Sequence, residues 1–194
     1  MFDNLPDRLS QSLSRAEPRL VTEWEPRPAA VLVPLYLEAG EWHLLFTRRT
    51  ESLEAHRGQV AFPGGAIEST DPTPEAAALR EANEEIGLPR ESTTVIGTMN
   101  PLMTVTQFVV TPVVGVIEWP MDMRLNPAEV AAAFGIPMNW LADPANLEVR
   151  RRQGMIPDQH VDVYYFRPYG GEVVWGVTAR ITVQLLRLLT PPPT

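Results

Sequence analysis

The chain has 194 residues, enough for one domain with its own core, and 44% of them are hydrophobic, with five Trp and six Phe. There is no cysteine, which excludes a thiol nucleophile, a thiolate metal site and a disulfide, and which fits a reducing cytoplasm. A formal net charge of −8 argues against broad contact with a nucleic-acid backbone, although divalent metal and a few local Arg can reverse the field around an anionic substrate.

The first residues, Met1-Phe2-Asp3-Asn4, lack the basic start and apolar stretch of a signal peptide. Nothing approaches the ~20 apolar residues of a membrane span. The longest apolar run, around Val109 to Ile117, is interrupted by Thr111, Pro112 and Gly115. A soluble cytoplasmic protein with no membrane or nucleic-acid partner is expected; nothing in the sequence sets an oligomeric state.

In chain order, Leu5, Leu9 and Leu13 recur at helical spacing and predict a short amphipathic helix in an N-terminal extension over residues 1–25. Pro26 and Pro28 end that segment. Residues 29–37 are apolar and β-branched, and after the turn Glu38-Ala39-Gly40-Glu41 come residues 42–48, together a β-hairpin. A loop from Arg49 to Gly58 leads to Val60-Ala61-Phe62, halted by Pro63-Gly64-Gly65. Residues 73–86 are the best helix: Thr73 can cap it, Pro74 suits its first position, and Gly87 and Pro89 stop it. Strands are predicted at 93–98, 104–110 and 113–118, a short helix at 128–134, strands at 161–167 and 172–175, and a closing helix at 178–189. The tail from 190 to 194 is expected to be mobile. With no repeat and no long linker, this is one domain over residues 1–194, of α/β class, with a sheet sandwiched by helices.

The chemistry concentrates in Arg80-Glu81-Ala82-Asn83-Glu84-Glu85-Ile86-Gly87-Leu88. Glu81, Glu84 and Glu85 stand at i, i+3 and i+4 and share one helix face, while Ala78, Ala82 and Ile86 lie on the neighbouring face and can pack on the sheet. Clustered carboxylates raise one another's pKa. A divalent cation removes that conflict, and Mg²⁺ prefers oxygen ligands completed by water and phosphates. Arg80 can pair with one of the acids and hold its rotamer. Alone, a Glu-x-x-Glu-Glu cluster is more often a solvated helix face. A double Gly ahead of the helix, an Arg directly before the first Glu and a closing Gly-Leu favour a site. Gly64 and Gly65 supply a tight turn, and the same freedom lets a backbone carbonyl reach a metal. Arg150-Arg151-Arg152 reads as a solvated face; His56 and His160, with no second His at ligand spacing, read as surface or packing residues.

These residues carry a family resemblance. The segment from Gly64 to Leu88 resembles the Nudix box, Gly-x5-Glu-x7-Arg-Glu-U-x-Glu-Glu-x-Gly-U with U apolar, and its second half matches from Arg80 through Leu88. The first half departs: six residues after Gly65 stands Asp71 rather than Glu, and eight residues, not seven, separate Asp71 from Arg80. Asp71, Glu68 or neither fills the first acidic position. Upstream, Leu44-Leu45-Phe46-Thr47-Arg48-Arg49 and Arg57-Gly58-Gln59-Val60-Ala61-Phe62-Pro63-Gly64-Gly65 look like the extra motif of the coenzyme A diphosphatase branch, and Trp175-Gly176-Val177-Thr178-Ala179 is also similar to that branch.

The resemblance implies a Nudix α/β/α sandwich with a mixed sheet. It also implies that Glu81, Glu84 and Glu85, helped by a Gly64 carbonyl, hold Mg²⁺ or Mn²⁺ for the hydrolysis of CoA to 4′-phosphopantetheine and adenosine 3′,5′-bisphosphate. The base is Glu81 or a loop acid such as Glu129, with Glu118 and Asp122 as alternatives for that acid. Arg48, Arg49 and Arg57 would bind substrate phosphate, since the Arg fork suits phosphate oxygens; each equally suits a solubilising surface. Two rivals stay open: a Nudix hydrolase for NADH, ADP-ribose or a nucleoside triphosphate, and a Nudix-fold binding module without catalysis.

Overall fold

The computed structural model describes residues 4–13, 26–51, 58–153 and 160–189. Helix α1 (Leu5–Leu13) precedes a long hairpin of β1 (Arg27–Glu38) and β2 (Glu41–Arg49). Two short strands, β3 (Val60–Ala61) and β4 (Gly64–Ala66), lead to helix α2 (Pro74–Ile86). Then come β5 (Thr93–Thr98), β6 (Leu102–Met103), β7 (Phe108–Ile117), β8 (Val130–Pro137), the short helix α3 (Met138–Ala142), the strands β9 (Leu147–Gln153) and β10 (His160–Phe166), and helix α4 (Gly176–Leu189).

The main sheet runs β3-β2-β1-β7-β5, with β4 also on β1, β6 on β7 and β8 on β2. Its axis is the parallel pair β1 and β7, in register at Val33 and Val114; the other pairings are antiparallel, so the sheet is mixed. Side chains alternate across a strand, and each long strand divides its apolar residues between two cores. On one face Leu32, Leu45 and Val113 pack with Ala77, Ala78, Ala82 and Ile86 of α2. On the other, Val33, Leu44 and Val114 pack with Leu5 and Leu9 of α1 and Ala179, Ile181 and Leu185 of α4. That burial on both sides explains why β1 reads as a nearly continuous apolar run. The result is the expected α/β/α sandwich.

Helix α2 begins and ends where local chemistry dictates. The Thr73 hydroxyl accepts from the Ala76 N–H at 3.2 Å, and Gly87 (φ 69°) bends into the left-handed region with its N–H on the Ala82 and Asn83 carbonyls. At the far side, the Arg8 guanidinium and the Ser12 hydroxyl (3.1 Å) donate to the Leu189 and Leu188 carbonyls, satisfying the last turn of α4.

Three expectations are corrected. Residues 128–134 are not a helix: β8 starts at Val130 and pairs with β2 from Arg49 to His43. The alanine-rich sequence favours a helix locally, but pairing along a central strand overrides propensity. The strands expected at 104–110 and 113–118 are one strand, β7, preceded by a turn in which the Thr104 hydroxyl accepts from the Phe108 N–H at 3.0 Å. Pro112 does not break it, because it falls between the stretches paired to β6 (at Val109 and Val110) and to β5 (from Val113 on). Residues 172–175 form only isolated bridges, Tyr169 to Glu172 and Tyr165 to Trp175. Arg150-Arg151-Arg152, read from the sequence as a solvated face, is exposed and lies on strand β9, which pairs with β10 and is not among the predicted strands; Arg150 forks Glu148 (2.8 and 3.0 Å) while lying 4.2 Å over the Tyr165 ring. Among the described residues no helix is long and apolar enough to cross a membrane. Arg57, His56, most of the N-terminal extension and the 190–194 tail lie outside the described residues.

Candidate active site

The site is assembled where β4 passes beneath α2. Gly64 and Gly65 pair with Val31 and Ala30 of β1. Gly64 (φ +156°) has no room for a side chain against the Ala30 carbonyl and Val31, and a Cβ on Gly65 would stand 2.5 Å from Glu81 Oε1. The double glycine therefore lets the Glu81 carboxylate lie directly on the backbone, an approach no other residue permits.

Along α2 the three acids differ in environment. Glu84 is exposed, with a side chain 53% accessible. Glu81 is partly buried, and burial raises its pKa, a shift opposed by Arg80 and reinforced by Glu84 and Glu129. Glu85 is 3% exposed and its pKa is pushed up to about 8. Burial is the main cause; Arg49 and a hydrogen bond from the Gly64 amide pull it down, while Glu129 and Glu81 push it up.

Arg80 is the organiser of this end. It holds Asp71 with two bonds, Nε to Oδ1 at 3.1 Å and Nη2 to Oδ2 at 2.9 Å. Its Nη1 donates to Glu81 Oε1 (3.0 Å) and Glu84 Oε2 (3.1 Å), and its Nη2 to the Ala66 carbonyl (3.2 Å). Of the two acids open for the first box position, Asp71 is the one this fork grips. Glu68 contributes its backbone N–H to Asp71 Oδ2 at 2.9 Å. Arg80 and the Glu68 amide together hold the Asp71 carboxyl below its ordinary value.

Glu129 approaches from the loop between β7 and β8 and acts electrostatically on both Glu81 and Glu85. It stands in the turn entering β8 rather than on the helix expected there. Its carbonyl accepts from the Thr50 N–H at 2.9 Å, and its Oε1 accepts from Asn126 Nδ2 at 3.1 Å. Neither Glu118 nor Asp122 figures among the charges acting on Glu81 or Glu85.

The two adjacent arginines of β2 separate. Arg49 turns towards α2, its Nη1 3.9 Å from Glu85 Oε1, with its Nε buried and without a partner among the described residues. Arg48 turns to the opposite face and pairs with Glu172 at 2.7 Å. The fold thus brings Glu81, Glu84, Glu85, Glu129, Arg80, Arg49 and Gly64 together, leaves Arg48 apart, and leaves His160 exposed at the start of β10. Sequence reasoning missed Asn126; the Asn126-Pro127 turn signal was its only mark.

The donors suit a hard divalent cation: carboxylate oxygens only, one of them buried and strained by its neighbours' charge. Among the described residues no three acids converge at ligand distance as they stand. Arg80 holds Glu81 and Glu84, so ligation requires those two side chains to turn from it towards Glu85.

Comparison with known proteins agrees with this geometry. Residues 26–159 match the family described as the NUDIX domain. The chain is 42% identical over 162 residues to "Uncharacterized Nudix hydrolase NudL" of Enterobacter sp. (strain 638), covering 82% of this chain and 81% of that one. It is 41% identical over 186 residues to a protein of the same name from Klebsiella pneumoniae, covering 94% and 93%. Among solved structures it resembles the Nudix hydrolase RenU of M. smegmatis, with 26% identity, a TM-score of 0.51, and coverage of 62% of this chain and 76% of that one. It also resembles DR0079 of Deinococcus radiodurans in fold, at 19% identity, a TM-score of 0.53 and 88% coverage of each. With the family match across most of its length and an Arg-Glu-x-x-Glu-Glu-x-Gly helix over a double glycine, the chain belongs to the Nudix family and is a hydrolase of phosphorus-containing acid anhydrides.

Proposed function

We propose that this Nudix hydrolase cleaves the diphosphate linkage of coenzyme A, giving 4′-phosphopantetheine and adenosine 3′,5′-bisphosphate. The observation that carries the reading is the junction of two motifs. The stretch resembling the coenzyme A branch ends in Gly64-Gly65, where the Gly64 amide hydrogen-bonds Glu85, and begins on β2, whose Arg49 stands 3.9 Å from the same carboxylate. A substrate phosphate gripped by Arg49 would therefore lie beside the helix acids. CoA carries a diphosphate and a further 3′-phosphate, a charge distribution that rewards several cationic donors.

Glu81, Glu84 and Glu85, with the Gly64 carbonyl, would hold Mg²⁺ or Mn²⁺. When bound, such an ion supplies neutralisation of the diphosphate oxygens and acidity for the attacking water. Arg80 keeps its two bonds to Asp71 and its bond to Ala66 when Glu81 and Glu84 turn away, so the guanidinium stays in place while the acids exchange partners. Arg49, whose side chain is 28% accessible, would offer its guanidinium to a phosphate oxygen. Glu129, entering from the loop, or Glu81 accepts the proton of the water that attacks phosphorus.

The test is product analysis with CoA, NADH, ADP-ribose and dNTPs in parallel, with and without Mn²⁺. CoA should be hydrolysed with the highest kcat/KM. A clear preference for another compound would remove the CoA assignment and leave the Nudix chemistry. Binding without cleavage of any compound would replace the enzyme by a binding module.

A further inference from the structure

The loop that carries Glu129 to the acids is built around one side chain, Asn126. Its N–H donates to the Glu85 carbonyl at 2.9 Å, and two residues earlier the Arg124 N–H donates to the Ile86 carbonyl at 3.0 Å. Those carbonyls end α2 and lack helical partners, so the loop caps the acid-bearing helix and the two are tied together. The Asn126 carbonyl in turn accepts from the Glu129 and Val130 N–H groups, at 3.0 and 2.8 Å. Its carboxamide faces two partners of opposite character. The Ala128 N–H can only donate, so it must meet Oδ1, at 3.1 Å; the amide nitrogen is then turned to Glu129 Oε1, also at 3.1 Å.

We propose that Asn126 is a positioning residue for the hydrolysis. Its Nδ2 fixes one oxygen of Glu129, aims the other at the acid cluster, and ties that aim to α2 through the Glu85 carbonyl. The inference rests on the Nudix hydrolase reading with Glu129 as the loop acid that takes the water's proton. A glutamate free to rotate on a loop would sample that geometry rarely, and displacements of about 1 Å can lower rates about a hundredfold.

Asn126→Asp and Asn126→Ser separate positioning from turn-building. Both keep an oxygen to accept the Ala128 N–H. Aspartate sets a like charge against Glu129 in place of the donor, and serine is too short to reach it. With Mn²⁺-loaded enzyme and whichever of CoA, NADH or ADP-ribose is cleaved fastest, each should lower kcat on the order of ten- to hundredfold. KM, the Mn²⁺ concentration for half-activation and the thermal midpoint should stay near wild type. In a Glu129→Gln background Asn126→Ser should change kcat less than about twofold, because Asn126 acts through Glu129. Effects that multiply in the double variant, or a change in KM or Mn²⁺ activation with kcat intact, would overturn the role. Wild-type kcat in Glu129→Gln would remove the inference and leave the hydrolase; no cleavage of any compound would remove both.

Discussion

Glu85→Gln should make the metal-free protein more stable while abolishing turnover. The buried carboxyl, 3% exposed, has its pKa raised from 4.5 to about 8, chiefly by loss of hydration, and Arg49 at 3.9 Å offsets only part of this. The folded state therefore holds this proton more tightly than the unfolded chain does. Between pH 4.5 and about 8 the folded protein binds more protons, and stability must fall as pH rises through that window. At about 1.4 kcal/mol per pH unit, the penalty grows from nothing below the window to about 3 kcal/mol at pH 7. Glutamine has nearly the same shape, keeps an oxygen for the Gly64 amide and carries no charge. It leaves Arg49 without its distant partner, which returns part of the gain, so the net is about 1–3 kcal/mol. At about 2–4 °C per kcal/mol for a chain of this size, the thermal midpoint should rise by about 2–12 °C. The assay is thermal unfolding in EDTA from pH 5 to 8, where wild type should lose stability with pH and the variant should lose less. Mn²⁺ should raise the wild-type midpoint and leave the variant's nearly unchanged. A variant less stable than wild type at pH 8, or a gap that does not shrink towards pH 5, would refute the reasoning.

Other substitutions test the remaining parts of the site and its support. Gly65→Ala places a methyl 2.5 Å from Glu81 Oε1, so the carboxylate must move; kcat/KM should fall about ten- to hundredfold while circular dichroism stays that of wild type. Arg49→Ala should lower kcat/KM for CoA about ten- to hundredfold, the value of a charge-assisted bond of about 1.5–3 kcal/mol, whereas Arg48→Ala, whose guanidinium is already engaged by Glu172, should change it less than about fivefold; parallel steady-state kinetics decide between them. Leu9→Ala empties a fully buried position between α1 and α4 and should destabilise by about 2–5 kcal/mol in urea titration, with activity at low temperature intact.

Much of this fold was legible before the structure because the forces responsible are local. Thr73, Pro74 and Gly87 mark the ends of α2 through their own backbone preferences and hydroxyl chemistry. The spacing of Glu81, Glu84 and Glu85 places them together on any helix. The hairpin of β1 and β2 follows from two apolar runs around Ala39-Gly40, both at positive φ. Leu5, Leu9 and Leu13 announced a helix with one apolar face, and all three are buried. The difference in solvation between the acids was hidden: three glutamates of identical chemistry became one exposed side chain, one partly buried and one nearly sealed.

The sequence alone therefore determined α2 and its caps, the first hairpin, the mixed α/β layering and the grouping of acids that identifies the family. Tertiary structure decided what depends on partners far away in the chain. Pairing with β2 turned the alanine-rich 130–137 segment into a strand, because ladder hydrogen bonds and burial outweigh a helix propensity of a few tenths of a kcal/mol per residue. The same sheet sent Arg48 and Arg49 to opposite faces, so adjacent residues with one chemistry acquired different partners. Glu129 is brought towards the helix acids by distant bonds: Asn126 and Arg124 donate to the carbonyls that α2 leaves open at its end, and the Thr50 N–H donates to the Glu129 carbonyl. A helix end must satisfy those groups somehow, but which distant segment does so is set by the closure of the whole sheet.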